Sequence, residues 1–363
     1  MTSESSKKIL IYSPPHYLGN MGDRIVTKVL RNRIPNSTFI YDNFLNYFFA
    51  NTKANKIYYN PRKKNNQRVL ASITRNFSKF LLVGMDTLDG FYNLRESISK
   101  IELATAIANS GGSSWVINFS WNNSSIHENL LTALKNAQMA GVKFVARDSD
   151  SSARLSKQGI VADVCPDLAF LINEIQSKPR KRHFHKTKHA EKYAVLAPSF
   201  TFGRLSEQIE LFVNISLKLR DLGITPILYA SVTQFRKGDQ IIIKRINAKL
   251  RTFNLQPMPI YRDEISLYYI LQESVFVFSG RMHVAIVAFT NLVPVFIFEY
   301  QGKSKGLLKD LGMPPIFNSK PEIKDKEFKE FVNNNLVLRK NLNEMIPLFR
   351  DKVNQLLLKF VSY

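Results

Sequence analysis

The chain has 363 residues, 45% of them hydrophobic and 22% charged, proportions that exclude a wholly disordered chain or a fibrous repeat and suit about two globular domains. Fifty-one Lys and Arg against 29 Asp and Glu leave a net charge of +22. That field draws anions: phosphorylated metabolites, anionic lipid headgroups or nucleic acid. The single cysteine, Cys165, excludes an intrachain disulfide and a thiolate metal cluster, and suits a small buried hydrophobe.

No segment reads as a membrane span. The most apolar stretch, residues 286–298, is interrupted by Thr290, Asn291 and Pro294, short of the ~20 apolar residues a bilayer crossing needs. The N-terminal apolar run is too short for a signal peptide. A cytoplasmic protein is expected, with the basic surplus leaving room for peripheral contact at the inner face of the membrane.

Short apolar runs alternate with amphipathic segments almost from end to end, the pattern of an α/β protein with parallel sheets. In the first half, strands are predicted at 9–12, 37–40, 80–83, 114–119, 143–146 and, more weakly, 161–164. Helices are predicted from residue 21 to 34, over 97–108 and over 126–140, the last closed by Gly141. The segment KPRKRHFHKTKHAEK (residues 178–192) breaks the rhythm and reads as a basic linker or exposed loop.

A second series follows: strand 193–197, helix 206–222 closed by Gly223, strand 225–229, helix 241–253 and strand 275–278. Helix 282–289, strand 293–298 and a lysine-rich, mostly helical C-terminal region complete it. The expected fold is α/β with two Rossmann-like domains, residues 1–177 and 193–363, facing each other across a cleft. Ligands in open α/β sheets collect beyond the carboxyl ends of the strands.

Five segments carry candidate chemistry. In GNMGD (residues 19–23), Gly19 and Gly22 let the backbone approach a ligand at a helix start, while Asn20 or Asp23 can cap the helix. The spacing is neither the dinucleotide fingerprint nor a P-loop. In GMDTLDG (residues 84–90), Asp86 and Asp89 at a strand end can hold sugar hydroxyls or position a proton; the alternative is an ordinary polar loop, and no metal site is expected. In RDSDSS (residues 147–152), Arg147 can grip phosphate or carboxylate through two hydrogen bonds. Asp148 can hold that arginine and Ser151 can cap the next helix, while a surface salt bridge is the competing reading.

The richest segment is SGRMH (residues 279–283), between a strand and the apolar VAIVAF. Arg281 can present a fixed cation and His283 a titratable imidazole to one small anion. Residues two apart diverge on a regular helix, so the pair must lie in the turn or the first helical residues to act together. In EYQGKSKG (residues 299–306), Lys303 and Lys305 can act as point charges toward a phosphate, or form a solvated basic turn.

Taken in order, GNMGD, GMDTLDG, ARDSDSS and CPDLAF resemble landmarks of the polysaccharide pyruvyl transferase family. So does SGRMHVAIVAF with the following PVFIFEYQGKSKGLLKDLGM. The last block is the most specific, being similar to the family's Ser-x-Arg-x-His and Tyr-x-x-Lys, here Ser279, Arg281, His283, Tyr300 and Lys303. The landmarks run from about residue 9 to 313. The resemblance implies a GT-B-like fold and transfer of the pyruvyl group of phosphoenolpyruvate (PEP) to sugar hydroxyls, giving a pyruvate ketal on a glycan or glycan precursor and releasing phosphate. PEP would be a co-substrate, with no cofactor, and the acceptor free, nucleotide-linked or lipid-linked.

On matching positions, Arg281 and Arg147 would bind the donor and His283 would transfer a proton. Asp86 and Asp89 would sit near the acceptor, placed on the N-terminal domain, with PEP on the C-terminal one. Two departures stand out: Asn291 occupies a position where the family often has glycine, and the HFHKTKH linker has no counterpart. Two other readings stay open from the residues alone. One is a GT-B-type glycosyltransferase using a nucleotide sugar; the other is a non-enzymatic basic anion-binding protein. No nucleic-acid motif is present, so nucleic acid is not an expected partner.

Overall fold

The computed structural model describes residues 8–12, 21–41, 55–59, 67–122, 127–175, 192–200, 202–233, 238–256, 258–298, 303–314, 317–318 and 320–362. Of the expected site residues, Gly19, Asn20 and Tyr300, the side chain of Lys303 and nearly all of the basic linker lie outside that set. The contacts divide the chain into two compact units. One comprises Met1–Leu18, Val26–Leu168 and Arg350–Tyr363; the other comprises Gly19–Ile25 and Ala169–Phe349.

The first unit is built on a seven-stranded sheet. Its elements in chain order are β1 (Ile9–Tyr12), α1 (Met21–Arg33), β2 (Thr38–Tyr41), β3 (Lys56–Tyr58), α2 (Gln67–Asn76), β4 (Lys79–Met85) and α3 (Leu94–Asn109). They continue with β5 (Ser113–Phe119), α4 (Glu128–Met139), β6 (Lys143–Ala146), α5 (Ser149–Ser156) and β7 (Asp163–Val164), and a 3-10 helix over Leu168–Ile175 begins at the unit boundary. All pairs are parallel, in the order β3-β2-β1-β4-β5-β6-β7. Parallel strands covered on both faces read as unbroken apolar runs. That is why all seven residues of β4 are buried. Leu82, Val116 and Phe119 share one core with Ile101 and Ala104 of α3 and Leu134 of α4. Asn93 caps α3 by accepting the Glu96 N–H at 3.2 Å.

The second unit repeats the plan with β8 (Lys192–Ala197), α6 (Leu205–Asp221), β9 (Ile224–Tyr229), α7 (Gln240–Thr252), β10 (Ile260–Tyr261) and α8 (Glu264–Gln272). After these come β11 (Ser274–Ser279), α9 (Met282–Thr290), β12 (Val295–Phe298), α10 (Lys303–Asp310), β13 (Phe317–Asn318), α11 (Asp325–Asn333) and α12 (Asn335–Ser362). Its parallel sheet runs β10-β9-β8-β11-β12-β13. Each sheet therefore reverses its winding beside its first strand, at β1/β4 and at β8/β11, the Rossmann arrangement in which ligands bind outside the strands' carboxyl ends.

The predicted glycine stops hold: Gly141 and Gly223, after α4 and α6, take φ of 89° and 68°, where any other residue would be strained. On the second sheet Phe278 stacks on Phe328 of α11 at 5.7 Å and meets Phe331 edge-on at 5.4 Å, so α11 seals that face with aromatic area.

The unit boundaries differ from the expected division into residues 1–177 and 193–363. The last 14 residues count with the first unit because Trp115 of β5 meets Phe360 edge-on at 5.9 Å and Lys79 Nζ donates to the Val361 carbonyl. Pro347, inside α12, removes one helical hydrogen bond three residues before that division.

Candidate functional site

In the second unit, the carboxyl ends of β8, β9 and β11 meet around one buried carboxylate. The Arg281 N–H donates to Ser279 Oγ at 2.9 Å, and the hydroxyl returns a bond of the same length to the Arg281 carbonyl. Gly280 must be glycine here, because a Cβ would lie 2.8 Å from that of Ser199. Arg281 is extended (φ −127°, ψ 116°) and precedes the first residue of α9, so its side chain is aimed independently of the helix.

The Arg281 guanidinium donates through Nε to Asp239 Oδ2 at 3.1 Å and through Nη2 to Asp239 Oδ1. Asp239 is fully buried. Its two oxygens also accept the Val232 N–H at 2.9 Å and the Phe200 N–H at 3.0 Å. Arg281 keeps 17% of its side-chain surface exposed, and its Nη1 has no hydrogen-bond partner among the described residues.

His283 is the second residue of α9, and every residue from it to Thr290 is buried. Its ring lies against Gly22: a Cβ there would be 2.1 Å from Nδ1 and 2.2 Å from Cγ. The GNMGD and SGRMH segments, 261 residues apart, are thus in contact within one unit. The first turn of α1 is fixed by the Met21 N–H donating to the Ser231 carbonyl at 3.1 Å and by Arg24 Nε donating to Glu264 Oε2 at 3.2 Å. The N-cap residue of α9, Arg281, makes no side-chain cap hydrogen bond, and the first turn of the helix carries the partial positive charge of a helix N-terminus. Asp23 lies in the first turn of α1, partly exposed, and Lys305 is exposed at the start of α10.

The turn after α9 forms with Asn291 at the position where the resemblance led to a glycine being expected. The Asn291 amide donates to the Val287 carbonyl at 2.8 Å, and the left-handed conformation falls on Leu292, with φ 59°.

In the first unit, Arg147 follows β6 and is only 4% exposed. Its Nε donates to Ser120 Oγ at 2.7 Å, Nη1 to Asp167 Oδ2 at 3.2 Å and Nη2 to Asp86 Oδ1. Burial opposes its charge, but Asp86, Asp167 and Asp148 outweigh that cost and hold its pKa above the ordinary arginine value. All three nitrogens are engaged by the unit's own side chains. This differs from the expected grip on a ligand anion and equally from a surface salt bridge.

Asp148 does not hold the arginine directly: it caps α5, accepting the Ser151 N–H at 2.7 Å and the Ser120 hydroxyl at 2.9 Å. Of the two loop aspartates, Asp89 is buried and accepts the Phe91 N–H at 3.0 Å, whereas Asp86 keeps 37% of its side chain exposed. Asn118, with φ 56°, sits at a register shift in β5, beside Met85 with φ 48° at the end of β4. Its amide accepts the Leu168 N–H at 2.7 Å and donates to Asp167 at 3.4 Å. Of the two, Met85 carries the conformational strain, since asparagine adopts the left-handed region readily.

Cys165 is buried, and burial pushes its thiol up to about 12, as suits an unreactive core residue. Among the described residues no group of three His, Cys, Asp or Glu could hold a metal, and no helix is long and apolar enough to cross a membrane.

Asp239 and Asp167 are the two residues that sequence reasoning missed as site components. Asp239 carries a weak signal, a Gly-Asp pair just before a helix; Asp167 stands within the CPDLAF landmark but has no local sign of its partner.

The family model of polysaccharide pyruvyl transferase matches residues 20–302. No curated protein sequence matches the chain significantly. Among solved structures, the UDP-GlcNAc 2-epimerase of Neisseria meningitidis bound to UDP-GlcNAc is similar, with a TM-score of 0.62 at 10% identity, covering 98% of this chain and 99% of that one. The Anabaena protein HepE in complex with UDP and glucose is similar with a TM-score of 0.59 at 9% identity, over 98% and 99% of the two chains. These likenesses establish a GT-B-like α/β fold.

Proposed function

This chain belongs to the polysaccharide pyruvyl transferase family, and we propose that it moves the pyruvyl group of PEP onto two hydroxyls of a sugar, forming a pyruvate ketal and releasing phosphate. The observation that carries the reading is Arg281, clamped by one edge to buried Asp239, two residues before His283 in the first turn of α9. A guanidinium held that way offers its other edge to a carboxylate or phosphate. The helix start adds partial positive charge to the same residues.

The chemistry balances without a cofactor. Adding two hydroxyls across the central carbon of PEP and expelling phosphate releases two hydroxyl protons. One ends on the methylene carbon, which becomes a methyl group; the other leaves with phosphate. His283 is assigned a proton transfer, since an imidazole nitrogen can accept or donate a proton. Arg281 is assigned to the donor anion, with Lys303 and Lys305 as further cations. Asp86, the more exposed loop carboxylate, is assigned to the acceptor side. Arg147 is assigned to holding Asp86, in place of binding the donor itself. The acceptor is a saccharide, carried on a nucleotide, a lipid or a polymer.

The test is to incubate the protein with PEP and a panel of free, nucleotide-linked and lipid-linked glycans, following phosphate release and product mass. Phosphate released together with a pyruvyl mass increment on the glycan is the expected result. Release of a nucleotide from a nucleotide sugar, with no consumption of PEP, would overturn the reading in favour of glycosyl transfer. Binding to polyanions with no turnover of either donor would leave only anion binding.

A further inference from the structure

Asp239 has only a weak signal in the sequence and is central in the structure. Its carboxylate receives four hydrogen bonds: two main-chain N–H groups, from Phe200 beyond β8 and Val232 beyond β9, and two from Arg281 beyond β11. The Asp239 N–H also donates to the Val232 carbonyl at 2.9 Å. A buried carboxylate is tolerated when its lone pairs are met and a cation faces it, and here both conditions hold. The amide bonds fix the carboxylate to the sheet, so the arginine that forks onto it inherits that fixed position.

We infer that Asp239 is a positioning residue: its buried carboxylate takes the Nε–Nη2 edge of Arg281 and thereby leaves Nη1 directed to the anionic groups of the donor. The inference rests on the proposed role of Arg281 in PEP binding. Without the clamp the guanidinium would be one mobile cation on an already basic protein. With it, the cation is held in one orientation, and less conformational freedom is lost when the anion binds. The prediction is therefore specific: Asp239 controls the affinity for PEP and has little effect on the affinity for the acceptor.

The experiment is calorimetric titration of PEP into the wild-type protein, Asp239→Asn, Arg281→Ala and the double variant, with KM for PEP and for the acceptor measured on each. Asp239→Asn is expected to weaken PEP binding by about ten- to a hundredfold, the effect of losing hydrogen bonds to a charged group, and to leave the acceptor KM within about twofold. In the Arg281→Ala background the same change is expected to have almost no further effect on PEP, the coupling of residues that act as one unit. A merely structural role would lower PEP and acceptor affinity together in both backgrounds, and that outcome overturns the inference.

Arg281→Lys keeps the charge but cannot fork onto a carboxylate, so it provides a second route should Asp239→Asn fail to fold. A tenfold or greater loss of PEP affinity is expected, and wild-type affinity would overturn the inference. If the wild-type protein binds no PEP, the reading of Arg281 falls and this inference with it. If the wild-type protein binds PEP and Asp239→Asn binds it equally well, only the inference falls.

Discussion

Two arginines stand just beyond strand carboxyl ends, Arg147 after β6 in the first unit and Arg281 after β11 in the second, and both pair with buried aspartates. Arg147 donates from all three nitrogens to Asp86, Asp167 and Ser120 and is 4% exposed. Arg281 donates from one edge to Asp239 and has a bare Nη1 among the described residues. Chemically equivalent residues thus have different capacities: a saturated guanidinium holds its own loops in place, and a half-engaged one can take a ligand. From sequence both read as anion grips, and only the count of partners separates them.

The contrast can be broken most severely at the residue beside the half-engaged arginine. His283→Ala is expected to lower ketal formation by about 10²–10⁴-fold, the usual contribution of a positioned acid or base, while PEP binding stays measurable by calorimetry. Near-normal turnover would remove His283 from the chemistry. Next in size, Arg147→Met should act on folding. Leaving Asp167 and Asp86 without their cation should cost about 3–5 kcal/mol, read as a lower denaturant midpoint. An unchanged midpoint would show that the buried cluster does not need its arginine.

Gly22→Ala sharpens the comparison with an inverted sign. In a helix the change ordinarily stabilises by about 1 kcal/mol, but here the new Cβ would sit 2.1 Å from the His283 ring. A destabilisation of about 1–3 kcal/mol and loss of turnover are expected from thermal melts and phosphate-release assays; a more stable, active variant would contradict the contact. The smallest effect is expected at exposed Lys305. Lys305→Gln should change stability by no more than about 0.5 kcal/mol and PEP affinity only a few-fold, so a hundredfold loss would move the donor site toward α10.

Much of the fold was legible because parallel strands buried on both faces leave unbroken apolar runs, as at residues 80–83 and 114–119. The strands that escaped notice, β3, β10 and β13, have only two or three residues each and carry no readable period. SGRMH was legible as a strand-to-helix turn because Ser279 and Gly280 punctuate an apolar stretch. The partners were not: Asp239 lies 42 residues from Arg281, and Asp86 lies 61 from Arg147. Such pairings follow from how the strands are wound and leave no local composition signal. The return of the chain end onto β5 through Phe360 was hidden for the same reason.

The measurement that bears most directly on the central claim is calorimetric titration of PEP into the wild-type protein and into Arg281→Ala. The account predicts saturable binding to the wild-type protein, reduced by about a hundredfold or more when the guanidinium and its charge-assisted bonds are removed. Equal affinity in the two proteins would contradict it, because the anion would then be held elsewhere.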